Sequence, residues 1–125
     1  MKIFYICAES PGNAVLKQEE FDPASLKPDE VLLESDYSAV SAGTERAWLL
    51  GMPNTGQRFP YHPGYSAAGR VIAAGAEVEN LKIGDRTVIT WGGHRSHTVR
   101  KAETVLKIED DSIDLLDASF AHIAS

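Results

Sequence analysis

The sequence predicts a mainly β domain: a small, partly open β-barrel with one short helical turn and a C-terminal helix. Three observations carry this. About six to eight short runs rich in β-branched and aromatic residues recur at spacings of roughly 8–12 residues. Clusters of Gly, Pro, Asn and Asp separate them, and these residues make turns because proline presets φ and glycine accepts φ > 0. Apolar residues fall at sustained helical spacing only at the end of the chain. Many short strands with regular punctuation are the pattern of a small barrel. The chain has 125 residues, the size of one domain, and its 43% apolar and 24% charged residues are an ordinary globular mix that excludes disorder.

Lys2 to Ala8 is a first strand, Ser10-Pro11-Gly12-Asn13 a turn, and Val15 to Phe21 the return strand. Asp22-Pro23 and Lys27-Pro28-Asp29 mark loop. Val31 to Val40 is a longer strand, apolar first and then roughly alternating, and Gly43 breaks it. Thr44 to Leu50 is a helical turn with Thr44 as its cap and Gly51 as its stop. Residues 51–64 hold Pro53, Pro60, Pro63, Gly51, Gly56 and Gly64 and form the longest loop, a length usual for functional or mobile segments. Ala67 to Ala74 is small and apolar, a buried strand through Val71 and Ile72 that Gly75 ends. Leu81 to Arg86 is a turn feeding the strand Thr87 to Thr90. Gly92-Gly93 is another turn, and His97 to Arg100 and Thr104 to Ile108 are short strands. Asp110, Asp111 and Ser112 supply caps for a helix over 113–125, with Leu115, Leu116, Ser119, Phe120 and Ile123 at helical spacing. That helix has no Gly or Lys/Arg ending, so the chain is expected to be part of a longer protein.

Charge and cysteine usage narrow the function classes. Twelve Lys and Arg against eighteen Asp and Glu give a net charge of −6, with no basic run, which argues against a nucleic-acid surface. The single cysteine, Cys7, leaves no internal disulfide and no cysteine zinc knot, and fits a reducing, cytoplasmic setting. The apolar run Ile3 to Ala8 is shorter than a signal core and Glu9 interrupts it. No stretch approaches the ~18 apolar residues of a membrane span.

Two segments carry a recognisable pattern. One is Tyr61-His62-Pro63-Gly64-Tyr65-Ser66-Ala67-Ala68-Gly69-Arg70-Val71-Ile72-Ala73-Ala74-Gly75, followed by Val78 and by Leu81-Lys82-Ile83-Gly84-Asp85-Arg86-Thr87-Val88; the other is Val40-Ser41-Ala42-Gly43-Thr44-Glu45. Together they resemble the N-terminal, GroES-like catalytic domain of the medium-chain alcohol dehydrogenase and quinone reductase superfamily, over almost the whole chain. Gly64 and Gly69 are expected at close backbone approaches and a barrel corner. Gly84-Asp85 is expected in a turn where the Asp side chain bonds nearby backbone.

The resemblance implies what each site position does. In the superfamily's zinc alcohol dehydrogenases a cysteine stands where this chain has Ala42, and a histidine and a glutamate stand at Tyr65 and Ser66. Ala has no ligand atom, and Tyr and Ser are poor zinc ligands. A third ligand position falls on His122, and the structural-zinc lobe after Val88 is missing. A zinc-free site is therefore expected. His94 and His97, spaced i, i+3 around a strand, are expected as exposed polar residues on opposite faces.

Thr44 matches the superfamily's hydroxyl position, where it relays a proton or bonds the substrate oxygen; a helix N-cap is the competing role. Tyr65 would face the same cleft as a hydrogen-bond donor to a carbonyl oxygen, or else pack as an aromatic filling the space left by zinc. Trp48 and His62 are substrate-binding candidates against helix packing and surface loop respectively, and His122 joins them. Zinc-free quinone reductases often carry a tyrosine at the position of Ala47, so this chain departs from their pattern. The run Ser41 to Arg46 with Pro63-Gly64-Tyr65 looks closer to a bacteriochlorophyllide-dehydrogenase-like branch.

No Gly-rich phosphate turn follows any strand. The resemblance thus implies NAD or NADP bound mainly by a separate C-terminal Rossmann domain, with the substrate in the cleft between. The expected partners are a small-molecule substrate and that cofactor domain, with this piece monomeric and inactive alone. A binding or assembly module using the loop 51–64 is the other reading left open.

Overall fold

The computed structural model of the chain describes residues 1–39, 50–53, 59–60, 62, 66–90, 93–110 and 112–119. Strands β1 (Lys2–Ser10) and β2 (Asn13–Glu20) form an antiparallel hairpin, turned at Gly12 with φ 75°. The other strands are β3 (Glu30–Ala39), β4 (Ser66–Ala74), β5 (Arg86–Thr90), β6 (His97–Lys101) and β7 (Leu106–Lys107). They make one antiparallel sheet in the order β6-β3-β4-β5-β7. A short helix, α1 (Leu115–Ala118), follows.

The hairpin joins the large sheet just before β6. Tyr5 bridges to Arg95, the Ile6 N–H donates to the His94 carbonyl at 3.0 Å, and the Ser96 N–H donates to the Phe4 carbonyl at 2.8 Å. The two sheets curl around one interior without a continuous ring of strand pairing among the described residues, the partly open barrel that the sequence predicts.

β4 organises the packing. Its small residues from Ser66 to Gly69 are explained by burial on both faces there, while from Arg70 onward one face is exposed. Ala67 and Val71 face the barrel core with Val31, Leu33, Leu81, Ile89, Ala102 and Val105. Ala68 faces the other way and packs with Val88, Leu115 and Ala118 under α1. Gly69 sits between, where β3 passes so close that an added Cβ would lie 2.1 Å from the Glu34 carbonyl oxygen. The register of β3 on β4 shifts there, between Ser35 and Tyr37. The Asp85 carboxylate closes its turn by accepting from the Lys82 N–H at 2.8 Å, as expected, and Gly84 takes φ 95°.

Two elements differ from the expected ones. The strand expected over 104–108 is only Leu106–Lys107, because the Thr104 hydroxyl bonds the Lys101 carbonyl at 2.8 Å and the chain coils into a 3₁₀ turn over Ala102–Thr104. The helix begins at Leu115 instead of Ile113, because the Arg86 guanidinium takes the carbonyls of Ile113 and Asp110. The Ser112 hydroxyl and N–H donate to Asp110 Oδ1 at 2.6 and 2.9 Å, which holds the Asp110 carboxyl below the usual carboxylate range. No helix among the described residues is long and apolar enough to cross a membrane.

Replacing Gly69 with Ala is expected to cost about 3 kcal/mol or more, since neither of two central backbones can retreat. Gly84→Asn, with nothing within 4 Å of the added Cβ, is expected to cost less than about 1 kcal/mol. Urea midpoints of the two variants check the contrast. The depressed Asp110 pKa contributes stability above about pH 4, the unfolded value, and loses it as pH falls through the lower folded value. Unfolding measured across acidic pH is expected to show that loss in the wild type and a flatter profile in Ser112→Ala.

Candidate functional site

Ser66 opens β4 and is 1% exposed. It pairs with Ala39, the last residue of β3, on one side and with Thr90, the last residue of β5, on the other. Its hydroxyl donates to the Ser119 carbonyl at 2.5 Å, just beyond α1. The Ser119 hydroxyl in turn donates to the Leu116 carbonyl at 2.6 Å. One buried residue thus gathers the ends of two strands, the start of a third and the exit of the helix. A hydroxyl at this depth must have a partner, and an orphaned one would cost on the order of 1–3 kcal/mol.

The segments holding the sequence-predicted residues leave from this point. Thr44 and Trp48 follow Ala39, Tyr65 precedes Ser66, and His122 follows Ser119; all four lie outside the described residues. What the structure gives is the convergence of their anchors. The positions at Ala42, Ala47 and Gly64 also lie outside the described residues.

His62 is described and exposed. Its ring lies 5.5 Å from that of Tyr5, tilted by 34°. The Arg95 guanidinium sits 4.9 Å from the Tyr5 ring centre and pairs with Glu19, so the phenol ring contacts both a cation and an imidazole. Beside these groups, Ser38 Oγ and His94 Nδ1 share a hydrogen bond at 2.6 Å. Tyr5, Tyr37, Ser38, His94 and Arg95 line one shallow groove of about 300 Å³. It offers an aromatic wall and a hydroxyl–imidazole pair, groups that hold a polar, partly flat small molecule.

His94 and His97 are not the exposed residues expected. Both are half-buried, and His97 bonds Ser96 Oγ at 2.9 Å and lies 3.6 Å from a Glu34 carboxylate oxygen. They bond different neighbours, Ser38 and Glu34, and do not converge on one point. Among the described residues no three His, Cys, Asp or Glu side chains are placed to hold a metal. Sequence reasoning missed Tyr5, Ser38 and Arg95. No motif marks them, because the bridge of β1 to residues 94–96 is a long-range contact with no local signature.

Residues 27–115 match the family described as the alcohol dehydrogenase GroES-like domain. An alcohol dehydrogenase of Schizosaccharomyces pombe is 32% identical over 115 residues, covering 89% of this chain and 33% of that protein. The 2-desacetyl-2-hydroxyethyl bacteriochlorophyllide A dehydrogenase of Cereibacter sphaeroides is 34% identical over 64 residues, covering 50% of this chain and 20% of that protein. A solved complex of Etr1p with NADP and crotonyl-CoA shares the fold with a TM-score of 0.80 at 18% identity, over 95% of this chain and 40% of that one. The chain therefore spans a fifth to a third of the length of these two curated relatives.

Ser66→Ala leaves the buried Ser119 carbonyl without its donor and is expected to destabilise the fold by about 1–3 kcal/mol. Amide exchange checks the location of the effect. Protection is expected to fall at Ala118 and Ser119, whose N–H groups bond within the helix, and to persist at Val31 in the central strand.

Proposed function

Because this chain belongs to the alcohol dehydrogenase GroES-like domain family, we propose that it is the substrate-side domain of a zinc-independent NAD(P)-dependent oxidoreductase. The reaction class is hydride transfer between a nicotinamide and an alcohol, a carbonyl or an enone. The observation that carries the zinc-independent part is Ser66. Where zinc dehydrogenases of this superfamily place a glutamate, a buried hydroxyl here is committed to a helix carbonyl. Ala42 and Tyr65, at the cysteine and histidine positions, point the same way by their chemistry.

In this reading the nicotinamide supplies or accepts the hydride and is bound mainly by a C-terminal domain. This chain's part is to hold the substrate. Thr44 and Tyr65 are the hydroxyl groups that bond the substrate oxygen, and a phenol donates there as charge develops on it. Trp48, His62 and His122 wall the cleft, and the stack of His62 on Tyr5 fixes one side of it. In this reading the domain needs the C-terminal cofactor domain for turnover and is inactive alone. The relatives named for alcohol and bacteriochlorophyllide dehydrogenation and the NADP-bound neighbour support this class. The single buried thiol, Cys7, supports a reducing, cytoplasmic setting.

The test is turnover by the protein as its whole reading frame encodes it, followed as NADH or NADPH absorbance against panels of alcohols, aldehydes, ketones and enones. Turnover with at least one panel is expected, with Thr44→Ala and Tyr65→Phe each lowering kcat/KM by ten-fold or more. Absence of both turnover and nicotinamide binding would overturn the enzyme reading in favour of a binding module.

A further inference from the structure

The hairpin and β6 part company after Ser96. β1 pairs with residues 94–96, but among the described residues no pairing continues from Ile3 toward Thr98. The seam is a groove of about 330 Å³ lined by Ile3, Glu19, Phe21, Arg95, Thr98 and Arg100. Two of these side chains are left incomplete. Thr98 is 7% exposed, and its hydroxyl has no hydrogen-bond partner among the described residues. Native proteins rarely leave a buried hydroxyl in that condition, and each instance calls for an explanation.

Arg100 lies two residues further along β6, on the same face as Thr98, because side chains alternate along a strand. Its guanidinium donates to the Thr90 carbonyl, and no carboxylate pairs with it among the described residues. Partial burial lowers its pKa, the sign of a desolvated cation without a counter-charge, yet a guanidinium stays protonated. The carboxylate in the groove, Glu19, is matched by Arg95, which also donates from Nε to the His97 carbonyl at 3.2 Å. Two arginine side chains line the groove against one carboxylate, in a chain of net charge −6.

We propose that this seam is a binding site for a small oxyanion, a carboxylate or a phosphate, held by the Arg100 guanidinium and the Thr98 hydroxyl with Arg95 at its flank. An oxyanion answers both deficits at once: it accepts from the hydroxyl and it neutralises the cation, with the paired donors of the guanidinium suited to two oxygens. A water molecule would answer only the first. Ile3 and Phe21 give the groove an apolar side that suits the short tail of an organic acid.

The test is titration of the chain with inorganic phosphate and, separately, with butyrate, exchanged for chloride at constant ionic strength. Thermal midpoint and the amide resonances of residues 98–101 are the readouts. A saturable rise in midpoint with shifts at those amides is expected for at least one probe, and which probe acts identifies the source of the oxyanion. Arg100→Gln is expected to weaken the response ten-fold or more. Thr98→Val is expected to raise the midpoint without anion, by removing the orphaned hydroxyl, and to weaken anion binding several-fold. No saturable response to either probe, or an equal response in Arg100→Gln, overturns the proposal. If Arg100→Gln does not fold, anion binding by Thr98→Val as strong as wild type overturns it.

Discussion

The hydrogen bond from the buried Ser66 hydroxyl to the Ser119 carbonyl is the point on which one end of this domain is built. Around it the ends of β3 and β5, the start of β4 and the exit of α1 are fixed relative to one another. Away from water such a bond is strong, and it is expensive to break because neither partner finds a substitute. Segments that leave a rigid frame of this kind can vary in sequence while their starting points stay fixed. That is the physical basis on which one fold serves many chemistries.

The frame itself rests on the narrowness of β4. Buried on both faces over its first four residues and crossed at 2.1 Å from a would-be Cβ, the strand accepts only small residues at Ala67, Ala68 and Gly69. Those residues give up side-chain burial, so the core is completed from both sides by larger partners: Val31, Leu33 and Ile89 on one face, Val88 and Leu115 on the other. The helix is thereby part of the packing of the sheet, and its position is set before its exit at Ser119 is tied to Ser66.

Elements with a local signature were legible in the sequence. The hairpin at Gly12, the small-residue strand β4 and the Asp85 turn all follow from residue chemistry within a few positions. The role expected of Gly69 also follows, since a glycine inside a strand signals close backbone approach. What was not legible depends on distant partners. Arg86 shortens the helix by capturing carbonyls far along the chain, and Arg95 is placed over Tyr5 by a bridge between residues 90 positions apart in sequence (95 − 5). His94 and His97 look like surface residues until β3 brings Ser38 and Glu34 beside them. Ser66 is legible only in part: its residue type makes it a poor metal ligand, but its bond to the Ser119 carbonyl depends on a partner 53 positions away.

If a buried structural hydroxyl has taken the place of a metal ligand, as proposed, substrate recognition falls to neutral hydroxyl and aromatic groups. The most direct measurement is the zinc content of the purified chain after equilibration with zinc and exhaustive dialysis, read by mass spectrometry. Zinc well below one equivalent is expected, with no change in Ser66→Ala. One tightly held zinc per chain would contradict the proposal and would move the ligand assignment to the histidines, His62, His94, His97 and His122.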